Sequence, residues 1–267
     1  MLGAEARVRL VLLLCLAALL ACDAAPPPPG PVPLEQALAA RWDPLELEVV
    51  TRLPEERTGG RAIVLLHGYG SRGSDMRPLA EALLGDDIRV FLPTAALPHE
   101  NGWGAIWWEF IEGDWPKPYS DDPSANAWPE PSKQLPRARE AVERLLGRIR
   151  ARYRPEVLAL AGHSQGAMLA LDVAAGVSPP VDRVAAVAGY VLLDSMPRIE
   201  KPRAFRPPVF IAHGRSDPIV GFDAAGRMRR VLEAHGFPVT LYAHPGDHGI
   251  DPGTVRALRA FLLEDGD

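Results

Sequence analysis

Ser164 stands in the pentapeptide Gly162-His163-Ser164-Gln165-Gly166. A serine hydroxyl framed by glycines at this spacing suits attack on an acyl carbon. That chemistry needs the hydroxyl raised on a sharp strand-to-helix turn, clear of its own main chain. Glycines two residues before and two after remove side chains that would collide there. The flanks agree: Val157 to Ala161 reads as an apolar strand, and Gln165 to Ala175 as an alanine-rich helix.

An isolated serine hydroxyl is a weak nucleophile. It needs a base within hydrogen-bond reach, and the base needs an acid to orient it. Where the nucleophile occupies such a turn, the acid and then the base follow it in the chain. Four of the seven histidines follow Ser164: His213, His235, His244 and His248. His213 ends a strand and shapes a turn, and His235 falls in the last turn of a helix, where capping suits it. His248 lies in Gly246-Asp247-His248-Gly249, beyond a strand and before the last helix, and is the expected base. His244 is its rival. Asp217, in His213-Gly214-Arg215-Ser216-Asp217-Pro218, is the expected acid, with Asp194 as the alternative. Asp247 adjoins the base and points elsewhere.

A tetrahedral intermediate carries a negative oxygen that needs fixed donors. The backbone N–H of Gln165 is one. The other is the N–H of Tyr69, in His67-Gly68-Tyr69-Gly70 after the strand Arg61 to Leu66.

These residues must be held by a frame. Strand-like segments run Leu45 to Leu53, Arg61 to Leu66, Ile88 to Leu92, Val157 to Ala161, Val184 to Leu193, Val209 to Ala212 and Val239 to Ala243. Helical segments run Asp75 to Leu84, Leu135 to Tyr153, Gln165 to Ala175, Asp223 to Ala234 and Pro252 to Leu263. Ala138, Val142, Leu145, Leu146 and Ile149 fall on one helical face. The alternation predicts an α/β fold: a mainly parallel sheet flanked by helices on both faces, with chemistry at the carboxyl ends of the strands. No repeat is visible. A net charge of −5 without a basic stripe argues against nucleic acid as a partner.

One stretch breaks the alternation. Thr94 to Lys133 has no period and holds Trp103, Trp107, Trp108, Trp115 and Trp128, five of the six tryptophans. A long tryptophan-rich loop predicts an ordered excursion beside the site. Trp103, Trp107 and Trp108 are assigned to a substrate pocket, with ordinary packing as the alternative.

The amino-terminal end carries a different message. Arg7 and Arg9 precede the apolar run Leu10 to Leu20, which predicts a signal peptide over residues 1–21. Leu19-Leu20-Ala21-Cys22 resembles a bacterial lipobox, which implies a lipid anchor on Cys22. Six prolines between Ala24 and Pro33 make a stiff spacer. Residues 22–44 are therefore read as anchor and linker, and 45–267 as the domain. The only cysteines, Cys15 and Cys22, lie ahead of that domain, so it forms no disulfide. The expected location is the bacterial cell envelope, lipid-anchored, with a secreted or periplasmic soluble form as the alternative.

Leu66-His67-Gly68-Tyr69-Gly70, the Ser164 pentapeptide, His213 to Val220 and Gly246-Asp247-His248 together resemble the phospholipase/carboxylesterase family of α/β-hydrolases. Asn101-Gly102 followed by Trp107-Trp108-Glu109 is similar to another of its segments. The likeness spans about Arg61 to Leu263. It implies a serine carboxylic-ester hydrolase acting through an acyl-enzyme, with Ser164, Asp217 and His248 as triad and no metal or cofactor. Small-molecule or lipid esters are the implied substrates, and export argues against acyl-proteins. His163 and Ala167 depart from that family's usual Phe and Gly. An acyltransferase or peptidase would use the same triad, and a noncatalytic binding lipoprotein would keep only the fold.

Overall fold

The computed structural model describes residues 42–43, 45–100, 102–109, 120 and 133–263. Nine strands are described: β1 (Glu46–Thr51), β2 (Arg61–Leu66), β3 (Ile88–Thr94), β4 (Leu97–Pro98), β5 (Ala105–Ile106), β6 (Val157–His163), β7 (Arg183–Val187), β8 (Val209–Gly214) and β9 (Val239–His244). Six α-helices accompany them: α1 (Arg77–Leu83), α2 (Leu135–Tyr153), α3 (Gln165–Ala174), α4 (Met196–Glu200), α5 (Asp223–Ala234) and α6 (Pro252–Leu263).

Seven strands form one sheet in the order β1-β3-β2-β6-β7-β8-β9. Only β1 is antiparallel to its neighbour. Strand alternation sends successive side chains to opposite faces, and the core divides accordingly. Val64 and Leu66 of β2, Leu158 and Leu160 of β6, and Val209 and Ile211 of β8 pack with α2, α3 and α5. Ile63, Leu65, Ala159, Ala161 and Phe210 pack on the other face with Leu79 and Leu83 of α1 and Leu258 and Leu262 of α6. The mainly parallel sheet with helices on both faces is the one that the alternation predicts. The inner strands are apolar on both faces because helices cover both.

Three expectations shift. The apolar run Val184 to Leu193 is not one strand: β7 stops at Val187. Ala188 then takes φ 53°, and the chain leaves the sheet there, so Asp194 lies in a 3-10 turn over Leu193–Ser195. The helix expected from Asp75 starts as a 3-10 turn, Gly73–Met76, and becomes α-helical at Arg77. The domain also begins before residue 45. Trp42, assigned to the linker, is buried in the core, and Asp43 pairs with Arg144 and Arg148 of α2. Residues 1–41, including Cys22 and the proline-rich spacer, lie outside the described residues, as do Asn101, Trp115 and Trp128. No helix among the described residues is long and apolar enough to cross a membrane.

Candidate active site

The junction of β6 and α3 is occupied by Ser164, whose backbone takes φ 52° and ψ −117°. A side chain rarely tolerates that region, and non-glycine residues held there store about 1–3 kcal/mol of strain. The surroundings enforce it. The Ser164 N–H donates to the carbonyl of Val187 at 2.8 Å, and the Ser164 carbonyl accepts from the amides of Ala167 and Met168. The two glycines of the pentapeptide are required by contact. A Cβ on Gly162 would overlap the main chain of Gly166 and Ala167. One on Gly166 would overlap the carbonyls of Leu66 and His67. The turn can thus pack against the end of β2 only with hydrogen at both places.

Asp217 and His248 meet at the ends of β8 and β9. His248 Nδ1 lies 2.7 Å from Asp217 Oδ2. The other oxygen, Oδ1, accepts the amide N–H groups of Ile219 and Val220, each at 2.9 Å. The Asp217 side chain is fully buried, while that of His248 keeps 21% of its surface. Burial pushes the Asp217 carboxyl up. The hydrogen bonds from His248 and from the Val220 and Ile219 amides outweigh it, and the carboxyl is held below the usual carboxylate range. An ionised acid therefore faces the imidazole. Among the described residues, the Ser164 hydroxyl and His248 Nε2 make no hydrogen bond. Such pairs are commonly loose before substrate binds.

His213 is closer to this site than its sequence role implied. Its buried Nε2 lies 2.8 Å from the Val220 carbonyl and 3.2 Å from Asp217 Oδ2. The turn holding the acid is therefore pinned from within. His244 does not reach Asp217. It is buried, and its Nδ1 accepts the Gly246 N–H at 3.2 Å.

The two expected oxyanion donors belong to separate segments, the start of α3 and the turn after β2. Gln165 is the first residue of α3, where a helix leaves N–H groups without intrahelical partners. Tyr69 follows Gly68, and a Cβ on Gly68 would stand 3.4 Å from Ser164 Cβ. The turn after β2 thus runs beside the serine. One buried side chain holds that turn and another holds the tryptophan segment. His67 Nε2 accepts the Ala95 N–H at 3.0 Å, and its Nδ1 donates to the Gly68 carbonyl at 2.7 Å. Burial pushes the His67 imidazole down to about 4, so it is neutral and its tautomer is set by these two bonds. Gln165 Oε1 accepts the Trp107 N–H at 2.9 Å, and its Nε2 donates to the Trp108 carbonyl at 2.7 Å.

The model of the Alpha/beta hydrolase family matches residues 63–265. The chain belongs to the alpha/beta hydrolase family. A stretch of 89 residues is 33% identical to acyl-protein thioesterase 1 of Debaryomyces hansenii, covering 33% of this chain and 38% of that relative. Among solved structures, esterase PE8 aligns with TM-score 0.66 and 22% identity over 82% of this chain and 97% of its own. Acyl-protein thioesterase 2 of Zea mays gives 0.61 and 21% over 81% and 97%. The phospholipase/carboxylesterase of Dyadobacter fermentans gives 0.59 and 23% over 82% and 97%. At these identities, the likeness is one of fold.

The tryptophans of this alpha/beta hydrolase, read from sequence as pocket or packing residues, have contrasting surroundings. Trp107 and Trp108 are fully buried in the core rather than lining an open pocket. The Trp107 indole N–H donates to the His67 carbonyl at 3.0 Å. The Trp107 ring also packs against the His67 imidazole, with centroids 5.2 Å apart. Trp103 has the opposite fate. It is 84% exposed near the tip of the β4-β5 ribbon. A cleft of about 370 Å³, whose lining includes none of Ser164, Asp217 and His248, is bordered by Glu46, Arg72, Thr94 to Pro98 and Gly102, Gly104 and Ala105. None of the three tryptophans borders it. The turn-shaping role read for His213 matches its bonds to Val220 and Asp217, whereas the roles of His67 and the Gln165 side chain escaped sequence reasoning. The only signal was their place next to Gly or Ser at strand ends.

Proposed function

We propose that this alpha/beta hydrolase is a serine carboxylic-ester hydrolase working through an acyl-enzyme. Ser164 is the nucleophile, His248 the general base and Asp217 its orienting acid. The amides of Gln165 and Tyr69 hold the oxyanion. One observation carries the reading: the buried, ionised Asp217 bonds His248 Nδ1 at 2.7 Å, leaving Nε2 as the nitrogen that can accept a proton. The strained turn at Ser164 supports it, since such strain concentrates where a side chain must be presented for chemistry.

The steps follow from these groups. Ser164 Oγ bonds to the acyl carbon as its proton moves to His248 Nε2. The carbonyl oxygen becomes negative and is stabilised by the two amides. His248 gives its proton to the leaving-group oxygen as the acyl–oxygen bond breaks. Water then attacks the acyl-enzyme, passing a proton to His248, which returns it to Ser164 as the acid leaves. Asp217 supports the imidazolium at each stage.

Small-molecule or lipid esters are the substrates, and the names carried by the similar proteins, esterase and acyl-protein thioesterase, support ester or thioester cleavage. The chain acts at the cell envelope, held by a lipid on Cys22. Turnover of a short-chain nitrophenyl ester tests the enzyme reading: Ser164→Ala should abolish it, and undiminished turnover would discard the assignment. A panel pairing each ester with its thioester and varying acyl length defines the substrate. Release of Cys22→Ser protein from the membrane fraction tests the anchor.

A further inference from the structure

We propose that His163 is a positioning residue that fixes the general base by clamping the main chain of His248, an inference that rests on the reading of His248 as base. His163 ends β6, immediately before Ser164. Its Nε2 lies 2.8 Å from the carbonyl oxygen of His248. A carbonyl only accepts, so Nε2 carries the hydrogen and Nδ1 is left bare. The two rings stand 5.1 Å apart at 58°. The ring also meets the turn after β2: a Cβ on Gly68 would stand 3.2 Å from His163 Nδ1. One imidazole is therefore wedged between the nucleophile's turn, the base's loop and the turn that offers Tyr69.

The need for such a clamp follows from the base's own loop. His248 lies between Gly246 and Gly249, in a segment outside the strands and helices. Asp217 holds it at Nδ1 alone. A ring held at one atom on a loop can pivot about that bond. A second bond, to the main chain of the same residue, removes the pivot without occupying Nε2. The groups facing His163 are the His248 ring and, beyond it, the Asp217 carboxylate. Burial holds the His163 imidazole below its usual range, which favours the neutral Nε2–H form that the bond requires.

The test measures how fast a fluorophosphonate labels Ser164, which needs no knowledge of the substrate. His163→Phe keeps a ring and loses the donor. His163→Gln keeps an N–H near the same place. Labelling of His163→Phe should slow about tenfold, the scale of one lost hydrogen bond, while His163→Gln stays close to wild type. Equal rates for His163→Phe and wild type would overturn the clamp. Equal slowing of both variants would assign the effect to ring packing and overturn it too. Should His163→Phe fail to fold, the pair His163→Gln and His163→Met, matched in length and differing in the donor, decides: a slow Met variant supports the clamp, and matched rates reject it. Wild-type protein that takes no label at Ser164 would remove the enzyme reading itself, which is a separate result.

Discussion

The side chain of Gln165 holds the main chain of Trp107: Oε1 accepts the Trp107 N–H at 2.9 Å while Nε2 donates to the next residue's carbonyl. Both atoms are buried with their partners. The residue that follows the nucleophile therefore also anchors the tryptophan segment. Gln165→Ala leaves a buried amide and a buried carbonyl unpaired, at about 1–3 kcal/mol each. Denaturant unfolding should show a loss of about 2–6 kcal/mol. A variant as stable as wild type would show that water replaces the side chain.

Asp217 and Asp194 separate cleanly. Asp217→Asn can keep the Ile219 and Val220 amides on its oxygen. Its amide nitrogen would then face His248 and demand the wrong tautomer. Ester turnover should fall about 10⁴-fold. Asp194→Asn should leave turnover within about threefold, because half-buried Asp194 lies in the 3-10 turn beyond β7 and the Nδ1 bond of His248 goes to Asp217. A larger loss at Asp194 would move the acid there.

Strain at Ser164 can be read by comparing two inactive variants. Ser164→Ala keeps a Cβ at φ 52°, whereas Ser164→Gly removes it. Glycine accepts this backbone freely, so Ser164→Gly should unfold at about 1 kcal/mol higher stability than Ser164→Ala. The reverse order would mean that the turn is relaxed.

His67 makes stability depend on pH. Its folded pKa, about 4, lies below its ordinary value of 6.5. The neutral form is favoured by folding, so the contribution is complete above pH 6.5. It is lost as pH falls from 6.5 through about 4, because the unfolded chain binds a proton that the fold resists. The expected loss is about 3 kcal/mol across that window. Unfolding free energies of wild type and His67→Gln, measured from pH 7 to 4, should converge as pH falls. Parallel curves would exclude His67 as the cause.

Much of this was legible in the chain. The alternation of apolar runs and amphipathic helices gives a parallel sheet because local periodicity reports which faces are buried. The pentapeptide around Ser164 predicted its turn because glycine spacing is a local steric demand. Chain order and placement at strand ends together selected Asp217 and His248, which do hydrogen-bond each other. The break of β7 after Val187 was hidden, since an apolar run does not record the positive φ at Ala188.

What the sequence determined by itself was therefore the frame and the identity of the chemical groups, both written in local patterns. The tertiary structure decided which groups touch. It buried Trp107 and Trp108 and exposed Trp103, three residues of one excursion that composition could not tell apart. It brought His163 to the carbonyl of His248, 85 residues away, and His213 to Asp217. The first contact arises where separate strands end side by side, and pairing across a sheet is set by packing of the whole domain rather than by neighbours in the chain; the second closes one turn after β8.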